Sequence, residues 1–78
     1  MNRLHQLAIN DEGFIFDPLT GENFTVNRTG LFIINRLKEG KKEEEILQEL
    51  IDEFNVSREV AERDLIDFLE KLKSYRII

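Results

Sequence analysis

Glu22-Asn-Phe-Thr-Val-Asn-Arg-Thr-Gly-Leu-Phe-Ile-Ile-Asn-Arg-Leu-Lys38 contains the change of period on which the fold turns. Up to Val26 the apolar residues alternate, so Phe24 and Val26 share one face of a strand. Beyond Asn27 the apolar positions are Leu31, Phe32, Ile34 and Leu37, which is helical spacing. Asn27 is a residue type that accepts a backbone N–H at a helix start, and Gly40 suits a helix end. The switch predicts a strand over 22–26 and a helix over 28–38.

Toward the N-terminus the text stays strand-like. Leu4-His-Gln-Leu-Ala-Ile9 predicts a strand over 4–9, the turn-rich Asn10-Asp-Glu-Gly13 follows, and Phe14-Ile-Phe16 predicts a strand over 13–17. Phe14 and Phe16 share a face, and Pro18 falls in the connection Asp17–Gly21, where its missing N–H harms no ladder. Both connections are too short for a parallel crossover, so the strands form an antiparallel meander.

Toward the C-terminus the helical period persists. Ile46, Leu47, Leu50, Ile51 and Phe54 predict a helix over 42–54, with Glu43, Glu44 and Glu45 at the positive end of its dipole. Ser57 caps a third helix over 57–74, with the core stripe Ala61, Leu65, Phe68, Leu69 and Leu72. The expected fold class is α+β: a three-stranded antiparallel β-meander followed by three helices, winged-helix-like, as one domain over 1–78.

Composition excludes several functions. Seventy-eight residues, 41% of them hydrophobic, supply one core, and leave no room beside it for a substrate cavity of about 300–1,000 Å³. The chain has no cysteine and one histidine, His5, so disulfides, thiolate zinc sites and thiol nucleophiles are out, and no cofactor is expected. His5 reads as an ordinary strand residue. The longest apolar run, Leu31–Ile34, falls far short of the ~20 residues of a membrane span. Met1–Asn10 lacks an apolar h-region, so no signal peptide is expected, and the cysteine-free chain fits the cytoplasm.

Catalytic constellations are missing too. Glycines at 13, 21, 30 and 40 are too scattered to cradle a phosphate. Ser57 and Ser74 have no nearby histidine. Asp64 with Asp67, and Glu59 with Glu62, read as solvated helix faces rather than as carboxylates in contrasting environments. The expectation is a non-enzyme.

The net charge is −5, and residues 43–53 hold six acids and no base. The third helix sets Arg63, Lys71 and Lys73 against Glu59, Glu62, Asp64, Asp67 and Glu70, the wrong balance for a reader of phosphates. A peptide is the expected partner instead. The third strand, Glu22-Asn23-Phe24-Thr25-Val26, ends the meander and offers an edge to an incoming strand. On the third helix, Ile66 lies at the shoulder of a stripe centred near Leu65 and Leu69, with Arg63 and Glu70 on that side and Asp67 further round. An apolar shoulder beside an edge strand makes a groove whose anchors sit beside Phe24, Ile66 and Leu69. Arg63 would steer an acidic peptide, Asp67 and Glu70 a basic one. Periodicity equally allows Ile66 simply to widen the core stripe.

The order Asp17-x-x-Thr-Gly21, Phe24-Thr-Val-Asn-x-Thr-Gly30, Leu37-x-x-Gly40, then Glu44, Leu50, Phe54 and Val56, and last Asp64-x-x-x-Phe68-Leu-x-x-Leu72, resembles the PqqD-like family over about residues 13–78. The resemblance implies a non-catalytic peptide chaperone, a RiPP recognition element. Such a protein binds the leader segment of a ribosomally made precursor peptide and presents it to a modifying enzyme, often a radical SAM protein. It implies that the leader adds as a strand between strand three and helix three, here Glu22–Val26 and Arg63–Glu70. The chain departs from the family pattern near its end, where Tyr75-Arg76 replaces a Gly that would finish the last helix. The alternatives in other classes are a winged-helix nucleic-acid-binding regulator and a small homo-oligomeric domain that pairs with itself through the same edge.

Overall fold

The computed structural model describes residues 3–78, in the order β1 (Ala8–Ile9), β2 (Phe14–Phe16), β3 (Asn23–Thr25), α1 (Arg28–Lys38), α2 (Glu43–Phe54) and α3 (Arg58–Ser74). Met1 and Asn2, the start of the stretch read above as free of a signal sequence, lie outside the described residues. The fold is α+β with an antiparallel sheet ordered β1-β2-β3, as the meander predicted.

The expected strand over 4–9 is replaced by a 3₁₀ turn at Leu4–Gln6 leading into the short β1. Leu4 and Leu7 are both buried. A period-2 strand would send residues three apart to opposite faces, whereas a 3₁₀ turn eclipses i and i+3. Burying both leucines therefore selects the turn, and it leaves His5 exposed on a turn rather than on a strand.

Ile15 of β2 pairs with Ile9 on one side and Phe24 on the other, and is 1% exposed. Phe14 and Phe16 share a face as predicted, and that face is the solvent side. Gly13 precedes β2 and lies across from Val26, at the end of the β2–β3 pair away from their connecting turn. Its φ of +91° is left-handed, and a Cβ there would run into the Val26 carbonyl oxygen. The Val26 N–H donates to the Gly13 carbonyl at 2.9 Å.

The helices start as their sequences predict. Asn27 Oδ1 accepts from the Gly30 N–H at 2.8 Å, and Ser57 Oγ accepts from the Val60 N–H at 3.2 Å. The Lys42 N–H donates to Glu45 Oε1 at 2.9 Å, which ties down the first turn of α2. Ile33 and Ile34 of α1, Ile46 and Leu50 of α2, and Ala61, Leu65, Phe68 and Leu72 of α3 close one core under the sheet.

Arg76 solves the end of α3. It adopts a left-handed φ of 59°, its N–H donates to the Lys73 carbonyl at 2.9 Å, and the Ile77 N–H donates to the Leu72 carbonyl at 2.9 Å. These are the two bonds of a Schellman motif, and the buried side chains of Leu72 and Ile77 complete it. The position favours glycine, and a side chain in this conformation costs about 1–2 kcal/mol. Replacing Arg76 with Gly is expected to stabilise the fold by about 1 kcal/mol, a rise of roughly 4–8 °C in Tm for a domain of this size. A thermal melt showing no rise would mean that the Arg76 side chain compensates for its backbone.

Arg3 ties both ends of the chain to the hairpin. Its backbone N–H donates to the Ile77 carbonyl (2.6 Å), Nε to the Arg76 carbonyl (3.1 Å), one Nη to the Tyr75 carbonyl (3.2 Å), and the other Nη to Asp17 Oδ2 (2.6 Å). Asp17, 3% exposed, opens the β2–β3 turn, and its other oxygen accepts from the Leu19 N–H at 3.0 Å. The Arg3 hydrogen bond holds the Asp17 carboxyl below its ordinary range, outweighing burial, and the Leu19 N–H adds to the effect.

Candidate functional site

The register of β3 exposes half of its backbone. The Asp17 N–H donates to the Glu22 carbonyl (2.8 Å) and the Val26 N–H to the Gly13 carbonyl (2.9 Å), so Glu22 and Val26 face β2. Antiparallel alternation gives Phe24, opposite Ile15, the same orientation and turns the N–H and C=O of Asn23 and Thr25 outward. Among the described residues no strand pairs with that edge. The opposite edge of the sheet is the two-residue β1, too short to template much.

Beside the β3 edge lies a groove of about 270 Å³. Thr25 and Val26 form its strand side, and the start of α1 (Asn27, Thr29, Gly30) closes one end. Ile33 and Phe68, both buried, make an apolar floor, while Asp64, Asp67 and Lys71 bring charges to the α3 side. A Cβ on Gly30 would sit 2.8 Å from Phe68 Cε1 and 3.1 Å from Val26 Cβ, so the bare glycine lets this floor form. At the Glu22 end the geometry is closed. The Tyr75 ring stacks on Phe24, centroids 4.8 Å apart and planes 17° apart, and the crevice left there is about 10 Å³.

The groove face of α3 follows i, i+3, i+4, i+7 spacing through Asp64, Asp67, Phe68 and Lys71, and Tyr75 continues it. Of the residues predicted for the site, Thr25, Val26 and Asp67 line the groove, Asn23 offers its outward backbone, and Phe24 and Glu22 flank the closed end. Ile66 and Leu69 lie elsewhere. At about 100° per residue they point roughly 150° from the groove, and Arg63 and Glu70 point about 100° from it. Ile66, 53% exposed, borders Glu43, Glu44 and Leu47 at the start of α2, and Leu69 packs against the core. A helix with one buried stripe has two shoulders, and periodicity does not say which one meets β3; the other shoulder does.

Sequence reasoning missed Asp64, Phe68 and Lys71, and read Asp64 and Asp67 as an ordinary solvated face, whereas Asp64 is half-buried at the groove. A signal was present. Asp64 and Phe68 belong to the last family motif, and Asn27, Thr29 and Gly30 to the second, so the motif residues converge on one cleft.

Outward backbone donors and acceptors beside an apolar floor with charged sides are equipped to hold an extended chain. Among the described residues no group of His, Cys, Asp or Glu side chains could hold a metal ion, and no helix is long and apolar enough to cross a membrane.

Comparison with known proteins gives the same architecture. TbiB1, solved in complex with the TbiA(beta) leader peptide, is 35% identical, with 91% of this chain and 84% of that one covered at a TM-score of 0.80. A lasso peptide synthetase B1 complexed with the leader peptide is 33% identical, with 88% and 82% covered at a TM-score of 0.76. No curated protein matches the chain. The family described as coenzyme PQQ synthesis protein D (PqqD) matches residues 12–78, nearly the whole length, and the chain belongs to that family.

Proposed function

We propose that this chain binds the leader segment of a ribosomally made precursor peptide as an added strand on β3, and presents it to a modifying enzyme without catalysing a step itself. The observation that carries the reading is the coincidence of the outward-facing Asn23 and Thr25 backbone with the groove walled by α3. Two relatives of the same fold are complexes with leader peptides, which supports a peptide in this role. The work belongs in the cytoplasm, where such precursors are made.

In this arrangement the peptide backbone pairs with Asn23 and Thr25, and its inward side chain beside Val26 enters the groove over Ile33 and Phe68. Asp64 and Asp67 outnumber Lys71 there, which favours a cationic residue next to that anchor. Arg63, which was expected to steer an acidic leader, points away.

The test is a titration of ¹⁵N-labelled chain with the leader segment of the precursor encoded beside its gene. The expected result is a shift of the Asn23–Val26 amides together with those of Asp64–Lys71. Saturable binding that leaves both sets unmoved and shifts the α1–α2 face would place the partner elsewhere.

A further inference from the structure

The groove between β3 and α3 is open beside Val26 and shut beside Phe24, where the Tyr75 ring stacks on Phe24. Phe24 stands inward on β3, with Ile15 as its register partner on the β2 side. The edge side of Phe24 is where an inward side chain of a fourth strand would lie, about 4.7–4.9 Å away, the spacing between paired strands. The Tyr75 ring lies 4.8 Å from Phe24 and nearly parallel to it.

We propose that Tyr75 is a gate residue: in the free protein its ring occupies the subsite on Phe24 that an aromatic or aliphatic anchor of the bound peptide takes over. The inference rests on the strand-addition reading above. It follows that the free groove offers one ready subsite, over Ile33 and Phe68, and a second that opens only when the Tyr75 ring swings out.

The surroundings permit that motion without unfolding. Tyr75 follows the last residue of α3 and is 39% exposed, so its ring has solvent to turn into. Its backbone stays where it is, because the Tyr75 N–H donates to the Lys71 carbonyl at 3.1 Å and the Tyr75 carbonyl accepts from Arg3 at 3.2 Å. Arg3 also holds Asp17 at the root of the β2–β3 turn, so both walls of the closed end are fixed and the ring is the part free to move. The stack that must be broken is of the kind whose loss changes a binding constant by about threefold to tenfold.

The gate costs affinity for a full-length anchor set and selects for peptides able to replace the ring. A leader whose inward residue at the Phe24 level is polar would reach only the Val26 half.

The experiment compares the intact chain, Tyr75→Ala and Tyr75→Phe, each titrated with the leader segment of the precursor encoded beside its gene, and with the same segment truncated to end before the Phe24 level. Tyr75→Ala keeps both backbone contacts, and its folding is checked by circular dichroism. Full-length leader is expected to bind Tyr75→Ala about threefold to tenfold more tightly than the intact chain, and Tyr75→Phe, which keeps the stack, like the intact chain. The truncated leader should bind all three alike. Because the chain holds a single tyrosine, ¹³C labelling of tyrosine rings gives one residue's signals, which should move to solvent-like positions at saturation with the full leader. Equal or weaker binding by Tyr75→Ala, or a ring signal that stays at its free position, overturns the gate while leaving the groove in place. No binding by the intact chain overturns the strand-addition reading, and the gate with it.

Discussion

Thr25→Pro should leave the chain folded and lower its affinity for a leader peptide about tenfold to a hundredfold. The asymmetry comes from register. Phe24 faces β2, and Glu22 and Val26 bond to it, so the Thr25 N–H contributes nothing to the sheet. Proline is tolerated in an edge strand when its missing N–H would have pointed to solvent, and the residue before it, Phe24, is already extended as proline requires. An incoming strand meets a different surface: a carbonyl of the peptide loses its donor, and the proline ring stands where the strand must approach. A buried acceptor left without a partner costs about 1–3 kcal/mol, which at 1.4 kcal/mol per tenfold gives the stated range. Phe24→Pro is the matching control, since it removes a ladder bond to Ile15 and should damage the hairpin. A folded Thr25→Pro chain that binds leader as well as the parent would rule out pairing on β3.

Gly13→Ala is expected to destabilise the fold by about 2–4 kcal/mol, the largest stability loss foreseen for adding one methyl group. Two costs combine at this position. The left-handed backbone, φ +91°, penalises any side chain by about 1–2 kcal/mol, and the new Cβ would meet the backbone oxygen of Val26, which no rotamer change can clear. Gly21 separates the two costs, because its φ is +78° but nothing lies within 4 Å of its would-be Cβ. Gly21→Ala should therefore cost only about 1–2 kcal/mol. With a urea m-value near 1 kcal/mol/M for a small domain, Gly13→Ala should lower the midpoint by roughly 2 M or more. Equal midpoints for the two variants would show that the hairpin relaxes around the collision. The position also bears on function, since Gly13 and Val26 together set the register that turns Thr25 outward.

Much of the fold was legible because its determinants are local. Asn27 and Ser57 cap the helices their positions predicted, the apolar periods of α1, α2 and α3 mark buried stripes, and the turn at Asp17–Gly21 forces an antiparallel hairpin. Leu4 and Leu7 show where local reading fails. The stretch from 4 to 9 has strand-like composition, yet the core has places for both leucines on one side, and only a 3₁₀ turn puts them there. Arg76 is a second case. Nothing in Tyr75-Arg76 suggests a helix stop, and the left-handed turn forms because it lets Ile77 bury against Leu72.

The sequence by itself determined the element order, the caps at Asn27 and Ser57, the antiparallel meander, the free edge of β3 and, with no cysteine and one histidine, the lack of thiol chemistry and of thiolate zinc sites. The tertiary structure alone decided which side of α3 meets that strand. Both sides of the α3 stripe carry a candidate set: Leu69 and Ile66 on one, with Arg63 further round, and Asp64 and Lys71 beside Phe68 on the other. The choice depends on how α3 rotates when Leu65 and Leu72 seat in the core beside α1 and α2, a relation among residues far apart in the chain that no window of sequence contains. The same rotation carries Tyr75 onto Phe24 and sets acids rather than Arg63 along the groove.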